Sequence, residues 1–288
     1  MSFDTDTNIY NNMDKETFVS SYLERISYSG DREPNLKNLT LLQKEHIKAI
    51  PFENTYVLKK LPINLTKEWL YDKVVTQKRG GFCFELNYLY NMLLADLGYS
   101  VQLLGGSVFH PVTGEPGLDN SHILTLVSLE GKSYVTDVAF GSKCALEPLP
   151  FVYDKKFEDP NGIFRFVLAD DHARFECKPK TIIDIDTQEE VQQATDTWRG
   201  LYRFRLNPIS ISDTKTAFDN HTTSKMSPFT RGFYMFRLTD IGKTTFTGNL
   251  LTVYSWKGNM KEIGKRKEVQ EADFDKELSL HFGLSKIE

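Results

Sequence analysis

An α+β fold is predicted by three features of the chain: helical periodicity confined to the first hundred residues, short β-rich runs from there on, and a closing segment that returns to helical spacing. The first region holds four helical patterns separated by breaks at Gly30, Pro51 and Pro62. They read KETFVSSYLERISYSG, NLTLLQKEHIKAIPFEN, TKEWLYDKVV and the segment that follows Gly80 and Gly81. In that last segment Phe82, Leu86, Leu89, Leu93 and Leu97 recur at three- and four-residue spacing, which predicts a buried helix.

After Gly98 the pattern changes. SVQLLGGSVF, SHILTLVSL, KSYVTDVAF, IFRFVLAD and HARFECKP are strand-like and are separated by Gly, Pro and Asn, so a mainly antiparallel sheet or barrel is expected. TQEEVQQATDTW, Thr187 to Trp198, reads as a short helix or loop. Strands resume in YRFRLNPISI, GFYMFRLTD, KTTFTGNLLTVYSW and KRKEVQ, and EADFDKELSLHFGL closes the chain as a helix with an acidic first turn.

With 288 residues, 40% hydrophobic, the chain can bury a sizeable core in two or three domains. Thirty-five basic against 39 acidic side chains give a net charge of -4, which points away from nucleic acid and membrane surfaces and toward small-molecule chemistry. Cys83, Cys144 and Cys177 are an odd number without CxxC spacing, so neither a disulfide framework nor a metal site is expected, and a reducing cytoplasm is the expected compartment. The polar start MSFDTDTNIYNN has no signal-peptide order and is expected to be a loose terminus.

The segment RGGFCFELNYLYNML raises the functional question. The glycines are expected to turn the chain through angles other residues resist, leaving Cys83 in the first turn of the helix. Unpaired N–H groups and the positive helix end stabilise an anion there, so the thiol pKa is expected to fall. A small apolar filler is the competing reading of such a cysteine.

A cysteine nucleophile needs an imidazole base, oriented by a carboxylate. His46, His172, His221 and His281 carry no obvious acid in fixed geometry; His221 reads as part of a polar loop. His110 and His122 are better placed, and His122 opens HILTLVSL, which returns through Glu130-Gly131 as KSYVTDVAF. If those two residues form the turn, Leu129 pairs with Lys132 and Leu124 faces Asp137. His122 and Asp137 then share a sheet face as diagonal neighbours, roughly 7 Å apart at the backbone. An aspartate inside the apolar YVTDVAF needs a charged partner, and His122 supplies one. Cys83, His122 and Asp137 thus form a candidate thiol triad, in an order shared by papain-like proteases, transglutaminases and certain acyltransferases.

RGGFCFELN, SHILTLV and DVAFG together resemble the arylamine N-acetyltransferases. YLERISYSG, HIKAIPFENTYV, LYRFRL, NHTTSKMSPFT and HFGLS extend the resemblance over about residues 19 to 285. It implies a helical bundle (1–102) carrying Cys83, a β-barrel domain (103–205) carrying His122 and Asp137, and an α/β lid (206–288), around a cysteine-protease-like core. The implied reaction is a ping-pong transfer of acetyl from acetyl-CoA through Cys83 to an arylamine, hydrazine or arylhydroxylamine, as in xenobiotic metabolism. No metal is implied. Phe52, Val108, Ser121, Phe140 and Phe229 would line the acceptor cleft, and Leu118, Thr222, Thr223 and Ser227 would contact CoA. A thiol hydrolase or transglutaminase using the same triad is the alternative. Ala139 departs from the family's usual glycine, and residues 176–198 have no evident counterpart in compact bacterial members.

Overall fold

The computed structural model describes residues 13–258 and 260–285, so the expected loose start, residues 1–12, lies outside the described residues. Five helices build the described part of the first region. Helix α1 (Lys15–Arg25) is capped by the Asp14 carboxylate, which accepts from the Thr17 N–H at 3.0 Å, and α2 (Leu36–Ala49) is capped in the same way by Asn35. A short α3 (Thr55–Leu58) and α4 (Lys67–Tyr71), the latter continuing as a π-helical turn, lead to α5 (Cys83–Asp96). Phe18, Tyr22, Leu39, Leu42, Leu86 and Leu93 interlock in their shared core. Between α2 and α3, Phe52 and Glu53 form a strand, β1, where helical patterning had been expected to run through PFEN. Pro51 ends the helix and the chain pairs elsewhere.

Eight antiparallel strands make the barrel-like sheet. In chain order they are β2 (Ser100–Val108), β3 (His122–Leu129), β4 (Lys132–Thr136), β5 (Leu149–Pro150), β6 (Phe157–Asp159), β7 (Gly162–Ala169) and β8 (His172–Cys177). After β9 (Thr181–Asp184) and β10 (Glu190–Gln192), β11 (Arg199–Pro208) completes it. Spatial order is β5-β4-β3-β2-β11-β8-β7-β6. A bridge between Tyr153 and Phe166 draws the two edges toward each other, around a filling of Phe151, Phe164, Phe166, Phe175, Tyr202 and Phe204.

The hairpin register is the one the sequence predicts. Leu129 pairs with Lys132 and Thr125 with Thr136, across a turn whose two residues, Glu130 at φ 50° and Gly131 at φ 72°, both take left-handed backbone. Positive φ at both central positions is the geometry that matches strand twist in a two-residue hairpin.

The last region contributes α6 (Lys215–Thr223), α7 (Pro228–Arg231), β12 (Tyr234–Leu238), β13 (Gly242–Thr247), β14 (Leu250–Trp256), β15 (Lys261–Glu268) and α8 (Phe274–Phe282). Gly283 ends α8 in left-handed backbone at φ 68°. The second sheet runs β1-β12-β13-β14-β15-β9-β10, antiparallel except where β15 meets β9. It therefore takes β1 from the helical region and β9 and β10 from the middle of the chain. Part of TQEEVQQATDTW is strand β10 and none of it is helix. Its polar residues leave no apolar helical face, and pairing with β9 holds it instead. Among the described residues no helix is long and apolar enough to cross a membrane.

His46 on α2 is fully buried, its Nδ1 2.7 Å from the Tyr22 hydroxyl, and burial holds its pKa down at about 3. The unfolded chain, with an imidazole near 6.5, binds the proton more readily, so stability falls as pH drops from about 6.5 toward 3, by about 1.4 kcal/mol per pH unit for this residue. Urea denaturation across that range is expected to show the slope, and His46→Leu to reduce it.

Candidate active site

Helix α5 begins where three strands of chain cross. Gly80 has negative φ, against the expectation of a special backbone angle; what it needs is the absence of a side chain, because a Cβ there would lie 2.1 Å from the Pro51 carbonyl oxygen. Gly81 is packed in the same way, 2.9 Å from Glu85, while its carbonyl accepts the Glu53 N–H at 2.8 Å. Two buried ion pairs brace the loop. Glu53 accepts from the Gly80 N–H and from Arg79, each at 3.1 Å. Glu85 accepts from the Phe82 N–H at 3.0 Å and from Lys73 at 2.5 Å. These contacts fix Cys83 as the first residue of the helix.

Cys83 is buried, with its Sγ 4.0 Å from the carbonyl of Ser121, the residue before His122. His122 and Asp137 meet as the register requires: Nε2 lies 2.7 Å from Asp137 Oδ2, both side chains buried. Burial works to raise the Asp137 carboxyl, but the His122 charge and hydrogen bonds from His122, Asn87 and the Ala139 N–H outweigh it and hold it below the usual carboxylate value.

The thiol departs from the expectation. Burial pushes the Cys83 pKa up and the Asp137 charge adds to the rise, while the Phe84 and Cys83 N–H groups at the helix start pull it down without prevailing. Sequence reasoning weighed the helix terminus and had no measure of burial. Ionisation here needs an imidazolium beside it.

Three residues were not anticipated. Asn87, one turn beyond Cys83, donates to the Ile123 carbonyl at 2.6 Å and to Asp137 Oδ1 at 2.9 Å, and its own oxygen accepts the Val138 N–H at 2.8 Å. Asn91 continues the line by donating to Thr125 Oγ1 at 3.1 Å. Cys83, Asn87 and Asn91 recur every four residues as a polar stripe along a mostly apolar helix, a signal available in the sequence. His221, read as a loop residue, sits on α6 with Nε2 3.1 Å from the Ser121 carbonyl, the same oxygen Cys83 faces. Burial lowers its pKa to about 4, so Nε2 donates from a neutral ring. His110, the other favoured histidine, lies in the loop after β2, where its Nδ1 accepts the Thr113 N–H at 3.2 Å.

The expected pocket residues divide. Phe52 packs at 6.0 Å from Phe229 and 5.7 Å from Phe236, between centroids. Phe140 lies 5.0 Å from the His122 ring, and the Ser121 hydroxyl accepts the Val108 N–H at 3.1 Å. Ser121 and Phe140 thus lie against Cys83 and His122, Val108 is held by Ser121, and Phe52 and Phe229 reach this region through Phe229 packing on Phe82 at 6.0 Å. Thr222 and Thr223 line a groove of about 1070 Å³ between the 57–65 segment and α6–α7, a groove that also carries Lys60, Lys225 and Arg231. Leu118 and Ser227 are not in its wall. Ser227 is buried, and its hydroxyl donates to the His221 carbonyl at 2.9 Å while accepting the Phe229 N–H at 3.2 Å, so it caps α7.

Residues 35–286 match the family model described as N-acetyltransferase, which makes the class an acyltransferase. Arylamine N-acetyltransferase 2 of Mus musculus is 30% identical over 278 residues, covering 93% of this chain and 94% of that protein. The pineal gland isozyme NAT-3 of Gallus gallus is 32% identical over 273 residues, with the same coverage. Among solved structures, the Salmonella typhimurium arylamine N-acetyltransferase superposes with a TM-score of 0.82 at 27% identity, over 93% of this chain and 91% of that one. The Mycobacterium marinum enzyme in complex with CoA gives 0.79 at 26%, over 92% of each. The chain belongs to the arylamine N-acetyltransferase family.

Asn87→Ala is expected to cost about 1–3 kcal/mol for each buried group it leaves unpaired, the Val138 N–H and the Ile123 carbonyl. It also removes a hydrogen bond that lowers the Asp137 pKa. Urea denaturation checks the first effect, and a rise in the Asp137 carboxyl titration midpoint by NMR checks the second.

Proposed function

We propose that the protein transfers acetyl from acetyl-CoA to an arylamine, hydrazine or arylhydroxylamine by a ping-pong route through a Cys83 thioester, with His122 as the base and Asp137 as its orienting acid. One observation carries the reading: a buried His122–Asp137 contact of 2.7 Å beside a buried cysteine at a helix start.

The chemistry follows from the electrostatics. Because burial disfavours a lone thiolate at Cys83, the proton leaves Sγ only if the ring that takes it stays close as imidazolium, and the ionised Asp137 stabilises that cation. The thiolate attacks the thioester carbonyl carbon, the carbon–sulfur bond to CoA breaks, and the CoA thiolate takes the proton held by His122. The amine nitrogen then attacks the Cys83 acetyl group, its proton passes to His122, and Sγ leaves and recovers it. The backbone N–H groups of Cys83 and Phe84 favour negative charge at sulfur in both halves.

Two surfaces suit the two substrates. Aromatic faces of Phe52, Phe140 and Phe229 fit a flat amine. The groove bearing Lys60, Thr222, Thr223, Lys225 and Arg231 has the charge and size for a CoA arm, and Phe218 joins it to the reacting end by packing on Phe82 and Phe84, the neighbours of Cys83 in sequence. The M. marinum relative solved with CoA supports that donor.

Incubation with acetyl-CoA and no amine is expected to add one acetyl group to the peptide containing Cys83 and to release CoA; mass spectrometry locates the label, and labelling at Cys144 or Cys177 would overturn the assignment. Cys83→Ser is expected to abolish transfer without loss of fold. In Asp137→Asn, the pH profile of Cys83 alkylation by iodoacetamide is expected to move to higher pH, because the imidazolium that holds the thiolate is less stable. An unchanged profile would make Asp137 a structural strand residue.

A further inference from the structure

A second polar cavity lies where the barrel sheet meets the lid sheet. Its volume is about 180 Å³, roughly six times the ~30 Å³ that a water molecule occupies in the liquid. Five cations line it: Lys143 from the turn after β4, Lys178 and Lys180 from the β8–β9 connection, Arg199 at the start of β11 and Lys243 on β13. Glu262 on β15 is the one carboxylate among the described lining residues.

That carboxylate is already committed. It is buried and shared by Lys180 at 3.0 Å and Lys243 at 2.9 Å. Lys178 pairs outward with the exposed Asp196 at 3.0 Å. Lys143 and Arg199 make no ion pair or side-chain hydrogen bond among the described residues. Two lining cations, the half-buried Lys143 and the solvent-exposed Arg199, are thus left without an anion among the described residues. Cys177 is buried in the same wall; burial raises its pKa, and the charges of Lys143, Arg199 and Lys243 each act to lower it.

We propose that this cavity binds a tetrahedral oxyanion of the phosphate type, with Lys143 and Arg199 as its direct ligands. The guanidinium offers a two-toothed donor fork and the ammonium a point charge, a combination suited to phosphate oxygens. Two uncompensated positive charges match a dianion, and the volume of this solvent-open pocket suits a small ion. Both proposed ligands belong to the barrel region, Lys143 after β4 and Arg199 on β11, while Lys243 and Glu262 of the lid sheet form the facing wall. The inference does not depend on the acetyl-transfer reading. Free inorganic phosphate and a phosphate group of CoA present the same chemistry.

The test is calorimetric titration of the full-length protein with inorganic phosphate, at constant ionic strength held by sodium chloride. Saturable binding at one site is expected, together with a rise in Tm beyond that of the chloride control. Lys143→Gln and Arg199→Gln are each expected to weaken it by about tenfold or more, whereas Lys225→Gln, in the separate large groove, should leave it unchanged. Both variants are checked for native circular dichroism, and two positions are used so that misfolding of one does not decide the outcome. Repeating the titration with CoA present separates the sources: displacement of phosphate by CoA, with CoA binding weakened to the same degree in Lys143→Gln, assigns the site to a CoA phosphate. Independent binding assigns it to the free oxyanion. No saturable binding, or an equal loss in Lys225→Gln, overturns the proposal.

Discussion

The buried carboxylate of Asp137 is the constraint on which the functional half of the molecule rests. A charge in that position is tolerable only while its oxygens are filled, and the donors come from three directions: the His122 ring on the neighbouring strand, Asn87 on helix α5, and the Ala139 backbone of its own segment. Satisfying the charge therefore locks a helix to a sheet. The same Asn87 also bonds the backbone at Ile123 and Val138, so the helix that begins with Cys83 is indexed against the strand that begins with His122. The spatial relation of thiol and imidazole follows from this lock.

The packing beneath the loop serves the same end by different means. Glu53 and Glu85, each buried against a cation, take up the N–H groups of Gly80 and Phe82. Removing either partner of such a pair strands a charge in a low-dielectric interior, which is why buried pairs specify geometry more surely than they add stability. Lys73 is also held over the Tyr56 ring at 4.1 Å. Aromatic packing of Phe82 and Phe84 on Phe218 then joins this rigid helix start to α6.

What was legible in the sequence was what short-range rules govern. The β3–β4 register could be counted because a two-residue turn fixes every pair beyond it, and that count placed His122 and Asp137 on one face. The start of α5 was legible from apolar spacing. The ionisation state of Cys83 was not, because local rules give the field at a helix end, whereas burial is set by residues from the whole chain. Gly80 was misjudged for the same reason: its glycine requirement comes from Pro51, distant in sequence, and no local backbone angle reveals it. His221 escaped because its partner, the Ser121 carbonyl, lies a hundred residues away, and the pattern around it is that of any polar helix.

The lid sheet draws its strands from almost the full length of the chain. Its edge strand β1 comes from residues 52–53, its central strands from beyond residue 234, and its far edge from residues 181–192. Its four consecutive strands β12 to β15 pair locally, but both edges depend on segments far away in sequence. During synthesis β1 waits for the segment carrying β12, and the β9–β10 pair waits for β15, so contacts of large sequence separation close late and leave strand edges open to other chains meanwhile. Truncation before β15 would remove β9's parallel partner and cut the β9–β10 pair off from the rest of the sheet. The arrangement that embeds the lid in both other regions thus makes completion of the polypeptide a condition for finishing the lid sheet, whereas the eight barrel strands all lie within residues 100–208.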